Sequence, residues 1–337
     1  MTAEPVKTLF HPFACGALEL PSQDARVLFL GAPGSFRAPD GFPAAIDYVQ
    51  GFRPDFLALR RAGFSVSPAA EGDGYDAALV LAGRHRGQNE TRIAEALERT
   101  VPGGLVVVAG AKEDGIGGLA TRISGLLAVE DRLPKYHGTA FWLCRPDDVA
   151  EAVAALRAGN GPALVEDRFR TAPGMFSHEA VDAGSRLLAA GLPADIKGSV
   201  ADFCAGWGYL SAEVARRCAG VARIDLYEAD WQSLEAAKAN LADVAGARFF
   251  WQDLAAEAAA ERYDAIVMNP PFHRGRAAEP GLGRDMIGAA AAALRKGGRL
   301  FMVANRELPY EASLAELFAT WRETAREGGF KTFVATR

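Results

Sequence analysis

Short apolar runs rich in Val, Ile, Leu and Phe alternate along this chain with longer Ala-, Leu- and Glu-rich stretches of helical spacing. In the first half the runs predict strands near Arg26–Leu30, Ala77–Leu81, Leu105–Ala109 and Ala140–Cys144. In the second half they predict strands near Val200–Phe203, Arg223–Tyr227, Ala247–Trp251, Ala265–Met268, Leu300–Val303 and Lys331–Ala335. Helices are expected near Ala180–Ala190, Leu210–Cys218, Gln232–Leu241 and Arg284–Leu294. Strand and helix in turn is the pattern of βα units around a mostly parallel sheet. Arg157–Gly174 is rich in Gly, Pro and charge and reads as a linker or crossover. The expectation is an α/β chain of two domains, residues 1–160 and 161–337.

The two halves echo each other. Tyr75–His85 reads YDAALVLAGRH and Tyr263–His273 reads YDAIVMNPPFH, so Tyr, Asp, Ala and the closing His coincide at one offset. Gly103–Ala109 (GGLVVVA) is echoed by Gly297–Ala304 (GGRLFMVA) at an offset six residues longer. Self-similarity at domain spacing points to duplication, against chance recurrence of a common strand–helix–GG–strand pattern. The extra six residues fall within His273–Asp285 (HRGRAAEPGLGRD), a Gly- and Arg-rich loop gained by the second copy. Leu81 stands where the second copy has Asn269, and Ala82-Gly83-Arg84 where it has Pro270-Pro271-Phe272. The first half keeps the scaffold without the motif.

Composition narrows the class. At 337 residues the chain is long enough for two domains of ordinary size. Half the residues are hydrophobic and 23% are charged, as in a globular protein. Apolar stretches such as Leu105–Ala109 are too short to span a bilayer. The N-terminal MTAEPVKTLFHPFACG has no basic region leading into an apolar core. Both features point to a cytoplasmic location and no membrane partner. Cys15, Cys144, Cys204 and Cys218 lack CxxC spacing, so reduced thiols are expected rather than disulfides or a metal site. The net charge of −5 argues against a surface coated in nucleic acid but leaves room for a local basic cleft.

Candidate chemistry gathers at predicted strand ends in the second half. Asp202-Phe203-Cys204-Ala205-Gly206-Trp207-Gly208 leaves an apolar strand and enters a helix. Gly206 and Gly208 let the backbone turn tightly and approach a ligand closely. Glu228 ends the next strand, where an acidic side chain can take both hydroxyls of a ribose. Gly206-x-Gly208-x-x-Ser211 also imitates a dinucleotide fingerprint, so a nicotinamide cofactor competes with S-adenosylmethionine (SAM). Three points favour SAM: Asp202 is placed for the methionine amino group, Asp253 for the adenine amino group, and Asn269-Pro270-Pro271-Phe272 ends the fourth strand. In a parallel sheet these positions share one carboxyl edge. The alternative, that each is an ordinary surface carboxylate, has to hold at every strand end at once.

At this point the chain resembles the ribosomal RNA small subunit methyltransferase C family, guanine-N2 enzymes with a duplicated methyltransferase-like domain. The resemblance rests on PGMFSHEAVDAGSRLL (Pro173–Leu188), DFCAGWGYLS (Asp202–Ser211), YDAIVMNPPFHRG (Tyr263–Gly275) and KGGRLFMVANRELPY (Lys296–Tyr310). These segments run through most of the C-terminal half, whereas the first half resembles the family in layout only. The resemblance implies two tandem Rossmann-like class I methyltransferase domains, the N-terminal one degenerate and used for RNA binding or support. It implies SAM as cofactor, ribosomal RNA or the 30S subunit as partner, no metal, and a monomer. Cys204 departs from the family, which usually carries glycine there. The loop is expected to keep its shape if φ at Cys204 stays negative, and SAM affinity is put in doubt if φ must be positive. Trp207, unusually large between two glycines, is expected to pack rather than to cover a ligand.

The expected roles follow. Asn269 and the Pro270 carbonyl accept the N–H bonds of an exocyclic amine, and Asn269 also borders the cofactor. Phe272 stacks on the base. Cys204, with Asp202, Gly206, Gly208, Glu228 and Asp253, lines the cofactor. His273, Arg274 and Arg276 meet the substrate; His273 could take the released proton, but a structural hydrogen bond is preferred because His85 matches it in the copy lacking the motif. Arg274, Arg276, Arg284, Arg295, Lys296 and Arg299 are expected to form a basic rim for phosphates, with a solvated helix face as the equal alternative for Arg295, Lys296 and Arg299. Competing readings are methylation of large-subunit rRNA, of a protein glutamine amide, a dehydrogenase, and a non-catalytic RNA-binding assembly factor. Glutamine enzymes tend to end this motif in Tyr, so Phe272 leans toward a base.

Overall fold

The computed structural model describes residues 4–337 apart from Ala38, Asp40, Pro43, Ala44, Phe272, Gly275, Arg276 and Glu279, with backbone only for His273, Arg274, Ala277, Ala278 and Pro280. The chain divides into two compact units, Met1–Pro162 with Ala172–Gly174 and Ala163–Thr171 with Met175–Arg337.

The first unit contains α1 (Glu4–Ala14), β1 (Arg26–Leu30), β2 (Ala45–Val49), α2 (Arg53–Arg61), β3 (Val66–Ser67), β4 (Tyr75–Leu81), α3 (Arg86–Arg99), β5 (Thr100–Ala111), α4 (Ile116–Ser124), β6 (Asp131–Lys135), β7 (Gly138–Cys144) and α5 (Ala150–Arg157). Its sheet runs in the order β3-β2-β1-β4-β5-β7-β6. The strands from β3 to β5 are parallel, and β7 turns antiparallel to both β5 and β6. Period-2 alternation sends the two faces of each strand into two cores. One buries Leu28, Val80, Val106 and Phe141 with Ile93 and Leu97 of α3, and the other buries Val27, Phe29 and Leu79 with Leu9 and Phe10 of α1.

The second unit begins with a hairpin, β8 (Ala163–Val165) and β9 (Phe169–Thr171). It continues through α6 (Ala183–Gly191), β10 (Lys197–Phe203), α7 (Tyr209–Arg217), β11 (Gly220–Glu228), α8 (Trp231–Asn240), β12 (Ala247–Trp251) and β13 (Tyr263–Met268). Then come β14 (His273–Arg274), β15 (Ala277–Ala278), α9 (Pro280–Ala293), β16 (Leu294–Asn305), α10 (Glu311–Leu317), β17 (Thr320–Glu327) and β18 (Phe330–Thr336). The sheet order β12-β11-β10-β13-β16-β18-β17 repeats that of the first unit position for position, and β18 is again antiparallel to its neighbours. One face packs under α6, α7 and α8 and the other under α9 and α10. Strand order reverses between β10 and β13, which makes the carboxyl end of that pair the switch point where ligands bind in such sheets.

Several expectations need correcting. Arg157–Gly174 is more than a linker: β8 and β9 lie inside it and belong to the second unit. The six-residue gain after Asn269 carries the β14–β15 pairing and the start of α9 rather than an open loop. β2, β3, β6 and β17 have no counterpart among the expected strands. β6 and β17 are edge strands whose residues are mostly exposed, so neither face shows the apolar alternation of a buried strand. None of the described helices is long and apolar enough to cross a membrane.

Candidate functional site

Four neighbouring parallel strands deliver the candidate residues. Asp202 lies near the end of β10, Glu228 closes β11, Asp253 follows β12 and Asn269 follows β13. Because all four strands run the same way, these side chains collect at one sheet edge around the switch point.

The loop after β10 has an unusual backbone. Cys204, Gly206 and Gly208 all take positive φ, at 60°, 54° and 91°. The negative φ expected at Cys204 is therefore not found: the loop keeps its turn with a side-chain-bearing residue in the left-handed region, at a cost of order 1–3 kcal/mol, the case in which SAM affinity is put in doubt. At Gly208 the φ of 91° strains any side chain, and a Cβ there would also lie 2.3 Å from Leu241 Cδ1, so glycine is favoured at the start of α7. A Cβ on Gly206 would meet no atom within 4 Å, which leaves open space above the loop. The Cys204 thiol is raised well above its usual pKa, first by burial and then by the charges of Glu228, Asp202 and Asp253.

The carboxylates brace this loop. Glu228 Oε2 accepts from the Gly206 amide at 2.7 Å, and its Oε1 accepts from the Asp230 amide at 2.8 Å. Asp202 is fully buried, and its Oδ2 accepts from the amide and hydroxyl of Ser211 at 2.9 and 2.8 Å. Its Oδ1 is buried and has no hydrogen-bond partner among the described residues. Burial pushes both carboxyls up to about 7, against the pull of the hydrogen bonds they accept. Asp253 is buried and accepts the Ala255 amide at 3.0 Å.

Trp207 packs, as expected. Its indole donates to the Phe176 carbonyl at 3.0 Å, and its ring meets Phe169 of β9 at 5.1 Å and Tyr209 at 5.9 Å. Asn240 ties β9 to the same loop, donating to the carbonyls of Arg170 and Trp207. The hairpin hidden in the supposed linker is thus a clamp on the glycine loop.

Asn269 shares a narrow pocket of about 40 Å³ with Phe176, Val181, Asp182, Ser185, Cys204 and Gly206. Its Nδ2 donates to Asp182 Oδ2 at 3.0 Å and to Ser185 Oγ at 2.8 Å. Neither partner was among the expected site residues. The available signal was Asp182 as a helix N-cap three residues before Ser185, which identifies a helix start but not what else the carboxylate holds. Pro270 is buried beside Asn269. Phe272 and Arg276 lie outside the described residues, as do the side chains of His273 and Arg274. The basic rim shrinks: Arg295 pairs with Asp264 at 2.7 Å and Arg299 with Asp195 at 2.9 Å. Both, with Lys296, belong to the amino-terminal part of β16, at the sheet edge opposite Asn269. Arg284 on α9 is exposed.

Comparison with known proteins agrees with this layout. Residues 166–334 match the family described as methyltransferase small domain. A relative from Escherichia coli O9:H4 (strain HS), ribosomal RNA small subunit methyltransferase C, is 35% identical over 167 residues, 49% of this chain and 48% of the relative. The protein of that name from Sodalis glossinidius is 37% identical over 169 residues, 49% of this chain and 47% of the relative. The match thus spans about half the length of these curated relatives. Among solved structures, a T. thermophilus 16S rRNA N2 methyltransferase in complex with AdoMet and guanosine superposes with a TM-score of 0.78 at 25% identity, covering 95% of this chain and 90% of that one. The likeness in fold covers 95% of this chain and so extends through both units, beyond the residues that the family model matches. With its second unit matched almost from end to end, the chain belongs to the methyltransferase small domain family.

Proposed function

We propose that the second unit transfers a methyl group from SAM to the exocyclic N2 amine of a guanine in ribosomal RNA of the small subunit. The observation that carries this reading is the set of Asp202, Glu228, Asp253 and Asn269 at the carboxyl ends of four adjacent parallel strands. The residues present fit the cofactor. Open space lies over Gly206, the Glu228 oxygens are fixed beside the loop, and Asp202 Oδ1 is a buried acceptor without a partner among the described residues. Glu228 would hold the ribose hydroxyls, Asp253 the adenine amine and Asp202 the methionine amine. A sulfonium of this kind supplies an electrophilic methyl group, so the protein's task is alignment.

Alignment falls to the end of β13. The lone pair of the guanine amine is delocalised into its ring, so the amine is a poor nucleophile. An acceptor on each N–H, from Asn269 Oδ1 and the Pro270 carbonyl, favours a pyramidal nitrogen and stabilises the positive charge that grows on it. A base in folded RNA must leave its stack to reach this position.

The names of the relatives support a small-subunit rRNA substrate. The test incubates the protein and radiolabelled SAM with unmodified 30S subunits, 50S subunits and naked rRNA. Label is expected in 16S RNA at guanine N2. Label on 23S RNA or on protein sinks the substrate assignment, and label nowhere sinks the activity.

A further inference from the structure

The contacts of Asn269 determine which end of its amide meets a substrate. Asp182 caps α6, and its Oδ2 accepts both the Ser185 amide at 2.7 Å and Asn269 Nδ2 at 3.0 Å. An ionised carboxylate only accepts hydrogen bonds, so the group facing it must be the NH2 of Asn269 and not its oxygen. Ser185 Oγ accepts from the same Nδ2 at 2.8 Å. Both hydrogens of the amide are thereby spent on α6, and Oδ1 is turned away from that helix.

The helix that holds the amide is itself held hard against the sheet. A Cβ on Gly184 would lie 2.7 Å from the Phe330 ring of β18, so glycine lets α6 approach that closely. Leu188 and Ala189 are buried beneath it. Ser185 is buried too, so water competes poorly for its hydroxyl. The orientation of Asn269 is therefore set by a packed helix start rather than by a loop.

We propose that Asp182 and Ser185 are positioning residues that lock the Asn269 amide with its oxygen toward the substrate, and so select a substrate group that donates hydrogen. This rests on the reading of an amine as the methyl acceptor. A turned-over amide would oppose N–H to N–H and leave the amine without its acceptor. With the amide locked, the site favours an exocyclic amine and disfavours a carbonyl oxygen in the same place. The selectivity comes from the start of α6, and Asn269 delivers it.

Three variants test the lock. Ser185→Ala removes one acceptor, Ser185→Thr keeps the hydroxyl, and Asp182→Asn keeps a cap for the Ser185 amide but brings an NH2 that lets Asn269 turn over. Expected is a fall in kcat of roughly tenfold for S185A and more for D182N, with KM for RNA and Kd for SAM within about twofold of wild type and S185T close to wild type. Unchanged kcat in both S185A and D182N overturns the proposal, as does a loss that tracks SAM affinity or melting temperature instead. A second readout needs no substrate. In Asn-labelled protein the Asn269 side-chain amide hydrogens should exchange slowly, and faster in S185A. Equal exchange rates defeat the lock even if methylation is observed, whereas wild type that methylates no RNA but shows the slow amide defeats only the substrate reading.

Discussion

Matched by strand register, Phe29, Gly31, Gln50, Ala70 and Leu81 of the first unit stand where the second has Asp202, Cys204, Glu228, Asp253 and Asn269. Gln50 is the instructive one. Its Oε1 accepts the Phe52 amide at 2.8 Å, as Glu228 Oε1 accepts the Asp230 amide, and its Nε2 donates to the Ala32 carbonyl at 2.6 Å. A neutral amide therefore braces the loop after β1 much as the carboxylate braces the loop after β10. Phe29 meets Phe36 at 5.4 Å and Tyr48 at 5.9 Å, so rings pack where the second unit buries an acid. The fold needs a side chain to hold each turn, but it does not need charge there. Keeping acids buried at these turns in the second unit costs free energy that the first unit avoids there, and under the proposed function a bound SAM cation would offset that cost.

The most severe way to break the contrast is Asn269→Ala. It removes a hydrogen bond to a group that gains charge, about 2–3 kcal/mol, so methylation should fall roughly 30- to 160-fold. The mirror change, Leu81→Asn, should create no activity. Full activity in N269A would show that the two strand ends do not differ in the way argued.

Next in size is Glu228→Gln, which copies Gln50 into the second unit. Calorimetry should show SAM binding weakened about tenfold, roughly one hydrogen bond's worth, with the unfolding midpoint little changed. The wild-type chain should bind one SAM. A stoichiometry of two would erase the distinction between the units.

A smaller effect separates Gly31 and Cys204, both left-handed, with φ of 83° and 60°. Cys204→Gly should relieve strain and raise stability by about 1 kcal/mol after the extra flexibility of glycine in the unfolded chain is offset. Gly31→Ala should lower stability, because its Cβ would lie 3.0 Å from the Leu81 carbonyl. Urea midpoints measure both.

The gentlest test uses protons. Asp202 and Glu228 titrate near 7 when folded and near 4 when unfolded. Between those values the folded chain holds protons that the unfolded chain releases, so unliganded stability should fall as pH rises from about 4 to about 7. A cation bound beside them should expel those protons. SAM binding at pH 7 should then release protons, seen as a heat that changes with the ionisation enthalpy of the buffer, and should tighten as pH rises. Asp202→Asn should reduce the release.

Much of this contrast was legible in the sequence. β1 spans the expected residues, β4, β10, β11 and β13 lie within two or three residues of them, and the strand-end acids follow from where those strands stop. The rest escaped for physical reasons. β17 is an edge strand with little buried surface, so it carries no apolar alternation. The Asp182–Asn269 contact joins positions 87 residues apart, and no local pattern encodes it. Arg295 and Arg299 look like phosphate ligands until register puts them at the far edge beside Asp264 and Asp195. The sign of φ at Cys204 depends on how a turn is pinned from both sides by Glu228 and β9, which spacing alone does not reveal.

The seat of α6 on Phe330 has a consequence for the order of synthesis. Chains fold from the N-terminus as they emerge from the ribosome. The first unit has all its strands once Cys144 has appeared, and its last segment ends at Gly174. The second lacks part of the surface on which α6 packs, the Phe330 ring, until β18 has been made and has taken its place between β16 and β17. Asp182, Ser185 and Asn269 are all translated before the β18 ring against which α6 packs. A nascent chain therefore has the residues of a complete first unit before the second has its last strand, and a chain cut short before β18 would keep Asp182, Ser185 and Asn269 but lose the Phe330 ring that supports α6.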